Sequence, residues 1–368
     1  MPSAVPQDIP LPKWAYPEKT KYDLAWADLS VIDLSSYDEP GGKERLAEQL
    51  RQAVHRDGFF SVTGTGIPPE DVSRQLSIAT AFYNLPFSER NDPSSRCDFA
   101  SGNYFGYRAM HQKTIMGTSI LDNVESINIP KSIPSLSSEP RHPFLLQFHD
   151  EITTFQHKTF TVVEKLFTLF ALILELPSDF FTSRHKYSDR SEDHLRYMRY
   201  HPRPASDDAQ IDNTWSRSHT DFGSLTLLFS QNVAGLQIKT HAGDWKYVRP
   251  VDNGIVCNIG DTLSFWSGGY LKSTVHRVQR PPPDQADRHR IGLFYFVRPG
   301  DEVDVSMAPS PLLRRLGVLK EGDGDRKRVT GYEYVRERVR NYHDHTDYGD
   351  RKGQKFRVGD LEIEDEIA

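Results

Sequence analysis

The sequence predicts a mainly β fold, a jelly-roll core between residues 190 and 300 flanked by α elements on both sides, and three observations carry that reading. From Leu195 to Phe296, short runs rich in β-branched and aromatic residues alternate with turns. No helix-length segment lies between those runs, which argues for a sandwich or double-sheet jelly roll and against a parallel sheet. Ahead of them, apolar residues recur at helical spacing, most persistently from Phe148 to Ile173.

Taken in order, residues 1–28 form a leader with Pro2, Pro6, Pro10, Pro12 and Pro17 among scattered charges, expected to be flexible and lacking the apolar stretch of a secretory signal. Residues 29–34 read as a first strand, and Lys43 to His55 as a helix through Leu46, Leu50 and Val54, ended by Asp57-Gly58. Phe59, Phe60 and Val62 follow as a strand, and Val72, Leu76, Ala79 and Phe82 as a second helix running to Pro86. These belong to a mixed α/β region, 29–135. After a Ser- and Pro-rich loop at 132–141, one long supporting helix occupies the segment 136–185 and ends near Pro177. Its most apolar stretch, Leu166 to Leu176, is shorter than the roughly 20 residues that span a bilayer. In the core, strands are expected at Leu236–Lys239, Trp245–Val248, Ile255–Ile259 and Leu263–Trp266, with turns at Ala242-Gly243 and Gly260-Asp261. A carboxy-terminal segment, 301–345, holds a helix around Tyr332 to Tyr342, and a charged tail, 346–368, is expected to be loosely ordered.

Charge and cysteine content exclude several classes of function. Lys and Arg total 45 against 51 Asp and Glu, with no long block of one sign, so neither nucleic acid nor an anionic membrane surface is an expected partner. A small molecule is. Only Cys97 and Cys257 are present, far apart, which excludes a disulfide framework or a cysteine zinc cluster and fits a reducing, cytoplasmic setting.

The chemistry concentrates at Ser218-His219-Thr220-Asp221-Phe222-Gly223, at the edge of the strand-like run Leu225 to Phe229. In a strand, residues two apart share a face, so His219 and Asp221 converge. Iron(II) that activates oxygen takes nitrogen and oxygen ligands on one face, two histidines and a carboxylate, leaving positions open. A third ligand has to come from another strand, and His276, in the β-branched segment Ser273 to Val278, is the best candidate. Two similar spacings serve as contrasts. His55-Arg56-Asp57 ends a helix, where residues two apart face about 200° from each other. His345-Thr346-Asp347 lies in the charged tail with no apolar strand after it and no later histidine.

With these residues in place, the chain resembles the isopenicillin N synthase-like family of iron(II)- and 2-oxoglutarate-dependent dioxygenases over about residues 29 to 340. The matching segments are Asp57-Gly58-Phe59-Phe60, Leu195-Arg196 through Tyr200 to Pro204, the His219-Thr220-Asp221 box, Gly235-Leu236-Gln237, Asn258-Ile259-Gly260-Asp261 and Ser273 to Val278. The resemblance implies a double-stranded β-helix core, iron(II), 2-oxoglutarate as cosubstrate and O2, with release of succinate and carbon dioxide. It also implies an arginine clamp for the distal carboxylate of 2-oxoglutarate, suited by its planar fork. Arg290 keeps the family spacing to Pro299, whereas Arg288 reads as a turn residue. Tyr200 stands where a family tyrosine contacts the cosubstrate, the alternative being a core aromatic. Gly292 stands where the family pattern has a serine, removing one hydroxyl donor. Tyr104, Tyr107, Phe222 and Phe296 are candidates to line the substrate pocket, with core packing or loop positions as the alternatives.

The leading expectation is therefore an enzyme that hydroxylates, desaturates or rearranges a small organic metabolite, in natural-product metabolism by family analogy. Its competitors are a family oxidase that does without 2-oxoglutarate, a jelly-roll binding module without catalysis, and a zinc hydrolase, which would want a separate general base. Replacing His219, Asp221 or His276 by Ala is expected to abolish iron binding, measured by metal content after dialysis, while His345→Ala leaves it unchanged. Iron retained by the Asp221→Ala variant would displace this site.

Overall fold

The computed structural model describes residues 11–320, 329–343, 355–358 and 361–364. The strands in chain order are β1 (Val31–Asp33), β2 (Phe59–Thr63), β3 (Gly106–Arg108), β4 (Val124–Pro130), β5 (His194–Tyr200), β6 (Thr214–His219) and β7 (Leu225–Phe229). They continue as β8 (Leu236–Lys239), β9 (Trp245–Tyr247), β10 (Ile255–Ile259), β11 (His276–Gln279), β12 (Arg290–Val297), β13 (Lys355–Val358) and β14 (Leu361–Glu364). Eight of them form one sheet in the order β1-β2-β10-β7-β12-β5-β4-β3, and four form a second in the order β6-β11-β8-β9. Successive core strands alternate between the two sheets, β5 to β6 to β7 to β8, which is the connectivity of a double-stranded β-helix.

One face of the large sheet is closed by helices. The long helix His149–Ile173 buries Val162, Val163, Leu166, Phe167, Leu169, Phe170 and Ile173, a stripe with the spacing that the sequence predicts. Each such side chain contributes about 1.5–3 kcal/mol of apolar burial. The helix Gly42–Arg56 packs beside it, and Pro69–Asn84 lies against β5 and β12. The opposite face of that sheet looks toward the small sheet, and the cavity lies between them.

Several elements differ from the sequence reading. Leu263–Trp266, expected as a strand, belongs to the helix Asp261–Trp266. The reason is local: Gly260, Asp261 and Thr262 donate their N–H groups to the carbonyls of Ser224, Asp221 and Gly223 at 3.0, 2.7 and 3.0 Å. The turn is thus stitched to the Asp221 loop, and Leu263 and Trp266, three apart, both become buried. Residues 11–28 follow the core, because Asn232 and Gln285 side chains capture the carbonyls of Pro17 and Glu18 at 2.8 Å each and Trp26 bridges to Tyr247. In the charged tail, β13 and β14 pair as an antiparallel hairpin. The carboxy-terminal helix runs Gly331–His343. Among the described residues no helix is long and apolar enough to cross a membrane.

Gly58 joins this frame to the site. It has φ +64°, and a Cβ there would stand 2.0 Å from the carbonyl oxygen of Lys272, in the segment leading into β11. Thr274 Oγ1 donates to Asp57 O at 2.6 Å, and Ile259 N donates to Gly58 O at 2.9 Å. Gly58→Ala is expected to cost about 2 kcal/mol or more of unfolding free energy, from left-handed strain plus the clash, as measured by urea denaturation. An unchanged midpoint would mean that the 272–276 segment yields freely.

Candidate active site

The centre of the site is set by strand register. β6 and β11 pair antiparallel with His276 directly opposite His219, and their ring centroids lie 4.4 Å apart. Each ring is turned by its backbone: Nδ1 of His219 meets the carbonyl of Arg217 at 2.9 Å, and Nδ1 of His276 meets that of Thr274 at 3.1 Å. A carbonyl only accepts, so the ring hydrogen sits on Nδ1 in both, and the Nε2 lone pairs face inward. Asp221 Oδ1 lies 3.7 Å from Nε2 of His219 and 3.8 Å from Nε2 of His276. All three ligand atoms fall within 4.8 Å of one another.

Asp221 is held from behind. Its Oδ2 accepts from Thr226 Oγ1 on β7 at 2.6 Å and from Asn258 Nδ2 on β10 at 2.8 Å, leaving Oδ1 to the histidines. Burial by itself would raise the carboxyl pKa, but His276, His219 and these two hydrogen bonds outweigh it and hold the group well below the usual carboxylate range. Burial, reinforced by neighbouring His276, pushes His219 down to about 3, so its imidazole is neutral at physiological pH. The sequence places His219 and Asp221 on one strand face. In the structure β6 ends at His219, and Asp221 lies beyond it in the loop that crosses from the small sheet to the large one.

The cavity opens from this centre between the sheets. Residues of equal parity on β12 line it, Arg290, Phe294 and Phe296, together with Arg196, Met198 and Tyr200 from β5. Arg290 is opposite Tyr200 in register, its guanidinium carbon 5.5 Å from the Tyr200 ring. It is buried, and its Nε and Nη1 have no hydrogen-bond partner. Burial lowers its pKa, yet an arginine keeps its charge, so this is a cation presenting unused donors to the cavity. Arg288, by contrast, is exposed in the turn before β12. At Gly292 a Cβ would stand 2.4 Å from Cε2 of Phe294, so the Phe294 ring occupies the space that a serine side chain would need.

Of the four candidate pocket aromatics, three reach the cavity. Tyr104, Phe222 and Phe296 line it, with Phe296 stacked on His194 at 5.0 Å. Tyr107 does not: its hydroxyl donates to Glu125 in a buried cluster with Arg90 and Arg199. His55 lies in the last turn of its helix, as the sequence suggests, and its ring stacks on Tyr270. His345 lies outside the described residues. Sequence reasoning assigns no role to Thr226, Asn258, Phe294, Arg196 or Arg298. Asn258 sits in the Asn-Ile-Gly-Asp segment already noted, and parity with Arg290 along β12 marks Phe294 and Arg298.

Comparison with known proteins agrees with this geometry. Residues 192–299 match the model of the 2OG-Fe(II) oxygenase superfamily, and residues 29–151 match that of the non-haem dioxygenase in morphine synthesis N-terminal family. A UPF0676 protein of Schizosaccharomyces pombe is 30% identical over 76% of this chain and 84% of its own. The chain belongs to the 2OG-Fe(II) oxygenase superfamily. Leucoanthocyanidin dioxygenase 1 of Oryza sativa subsp. japonica is 27% identical to this oxygenase, over 86% of each chain. The crystal structure of a full-length Neurospora crassa protein in complex with alpha-KG shares the fold, with a TM-score of 0.74, 22% identity, and coverage of 88% of this chain and 99% of that one. As a member of the superfamily the protein is an oxidoreductase that uses iron(II), 2-oxoglutarate and O2.

The residues present fit both groups. Two imidazole nitrogens and one carboxylate oxygen, with no thiolate among them, suit a non-haem iron(II) centre with open positions, and the buried unused donors of Arg290 suit a carboxylate. Asn258→Ala removes one of the two donors that fix Asp221 and is expected to weaken iron(II) affinity about 10- to 100-fold, measured by competition with a chelator. Affinity unchanged in that variant would mean that Thr226 alone orients the carboxylate.

Proposed function

We propose that this oxygenase hydroxylates, or by the same radical chemistry desaturates or rearranges, a small organic metabolite in natural-product metabolism in the cytosol. In this reading His219, Asp221 and His276 hold the iron, and Arg290 with Tyr200 receives the distal carboxylate of 2-oxoglutarate. The observation that carries it is the pairing of two preformed features in one cavity: a divided Asp221 carboxylate facing two inward Nε2 atoms, and a buried arginine with unsatisfied donors.

When bound, iron(II) and 2-oxoglutarate supply oxygen activation, the cosubstrate leaving as succinate and carbon dioxide. The protein's share is binding and orientation. Nδ1 hydrogen bonds fix both imidazoles before the metal arrives, so little ordering entropy remains to be lost on binding. Thr226 and Asn258 keep Asp221 ionised and aimed. Arg290 fixes the far end of the cosubstrate, and the Tyr200 ring, stacked toward Trp215 at 6.4 Å, limits how far the guanidinium can swing. Phe59 packs edge-on against His276 at 5.3 Å and Phe294 fills the space above Gly292, keeping an apolar wall beside the centre.

Arg290 favours this reading over an oxidase that dispenses with 2-oxoglutarate, since its unused donors suit the distal carboxylate of a cosubstrate held at the metal centre. A hydrogen bond to a charged group is worth about 1.5–3 kcal/mol, so Arg290→Ala is expected to raise the half-saturating 2-oxoglutarate concentration about tenfold or more in a succinate-release assay, with Arg288→Ala within about twofold of wild type. The reverse order would move the clamp to Arg288.

A further inference from the structure

Six arginines line the cavity, at 108, 196, 217, 290, 298 and 338, against a single acidic residue, Asp221. Iron(II), the Asp221 carboxylate, the two carboxylates of 2-oxoglutarate and Arg290 sum to zero charge. Arg108 is paired with Asp122 at 3.0 Å and Arg338 with Asp261 at 3.2 Å. Arg196 and Arg298 have no such partner among the described residues. Arg196 donates through Nε to the neutral Asn128 Oδ1 at 2.6 Å and approaches His194 Nε2 at 3.5 Å. Arg298 donates through Nε to Tyr104 Oη at 3.3 Å and through Nη1 to its neighbouring carbonyl at 3.5 Å. Two neighbouring acids are already engaged, Glu192 by Arg336 at 3.0 Å and Asp193 by Lys131 at 3.6 Å.

These two cations stand apart from the cosubstrate clamp. Arg196 is opposite Phe294 in register, four residues along β12 from Arg290, or about 13 Å of strand, and Arg298 is further still. Both guanidinium groups turn onto the same aromatic wall: Arg196 lies 4.4 Å from the Phe296 ring centroid, and Arg298 lies 4.4 Å from Phe222 and 5.5 Å from Phe296. Phe222 directly follows the metal-site aspartate. Asp221 acts on Arg196, and Glu192 and Asp193 on Arg298, without a direct ion pair between the side chains, so two largely desolvated cations beside flat apolar surface suit an anion that pairs with both.

We propose that the substrate oxidised by this enzyme is a small aromatic carboxylic acid, its carboxylate held between Arg196 and Arg298 and its ring against Phe222 and Phe296. Tyr104 and Asn128 act as positioning residues, each accepting a hydrogen bond from one of the arginines. The proposal rests on the oxygenase reading above and adds the substrate class.

The test is anaerobic calorimetric titration of the enzyme loaded with iron(II) and 2-oxoglutarate, using phenylacetate and 1-naphthoate against phenylacetamide and 1-naphthamide. The acids are expected to bind at least tenfold more tightly than their amides. Arg196→Gln and Arg298→Gln should each reduce the acid-to-amide preference at least fivefold. Equal binding of acids and amides, no binding of either acid, tighter binding of phenyl phosphate than of phenylacetate, or a preference that survives both substitutions overturns the proposal. The comparison within the wild-type protein needs no variant to fold. Iron-dependent succinate release by wild type, run in parallel, separates the two claims: its absence counts against the oxygenase reading, whereas its presence without an acid preference counts against the anion subsite alone.

Discussion

The site depends on one constraint, the register that sets His276 opposite His219 across β6 and β11. A slip of one residue would turn one imidazole to the other face of the small sheet and leave Asp221 facing a single nitrogen. The register is secured at both ends. Ahead of β11, Gly58 admits the Lys272 carbonyl and Asp57 accepts from Thr274. Beyond β6, the loop carrying Asp221 is stitched to Gly260, Asp261 and Thr262. The amino-terminal strand and helix, far away in sequence, thus help to hold His276 in place.

The same alternation of side chains sorts the cavity's contents along its length. On β12, Arg290, Phe294 and Phe296 face inward in turn, and Arg298 follows just past the strand's end. Charge at one end, aromatic surface in the middle and charge at the other end follow from a period of two. Gly292 belongs to this series: with no side chain there, the Phe294 ring folds back over it, so the hydroxyl missing from the family pattern is replaced by apolar wall. In the proposed reading, the distal carboxylate of 2-oxoglutarate would rely on Arg290 more heavily than it would with a serine beside it.

Much of this is legible in the sequence because its signals are local. The long helix announces itself by the spacing of Phe155, Val162, Leu166, Leu169 and Ile173, and His219, Asp221 and His276 by chemistry, spacing and matching segments together. Leu263–Trp266 misleads because a short apolar run has no period to distinguish strand from helix, and what decides it is the bonding of the preceding N–H groups, those of Gly260, Asp261 and Thr262, to a loop some forty residues earlier. Strands β3 and β4 go unassigned in the sequence reading of the mixed α/β region, since their polar residues, Arg108, Glu125 and Asn128, are buried by partners that only the fold supplies. Tyr107 is a candidate for the cavity by its neighbourhood in sequence. Its hydroxyl is claimed instead by Glu125, eighteen residues on and brought close by the β3–β4 pairing.

The central claim is that one prebuilt cavity binds iron(II) through the triad and 2-oxoglutarate beside it. Anaerobic titration of the apo-protein with iron(II) and then 2-oxoglutarate tests it most directly, because the chelated complex absorbs visible light and no substrate is required. The account predicts a saturable charge-transfer band in the wild-type protein that is absent from the Asp221→Ala variant. A wild-type protein that binds iron without developing the band, or a band that persists in Asp221→Ala, would contradict it.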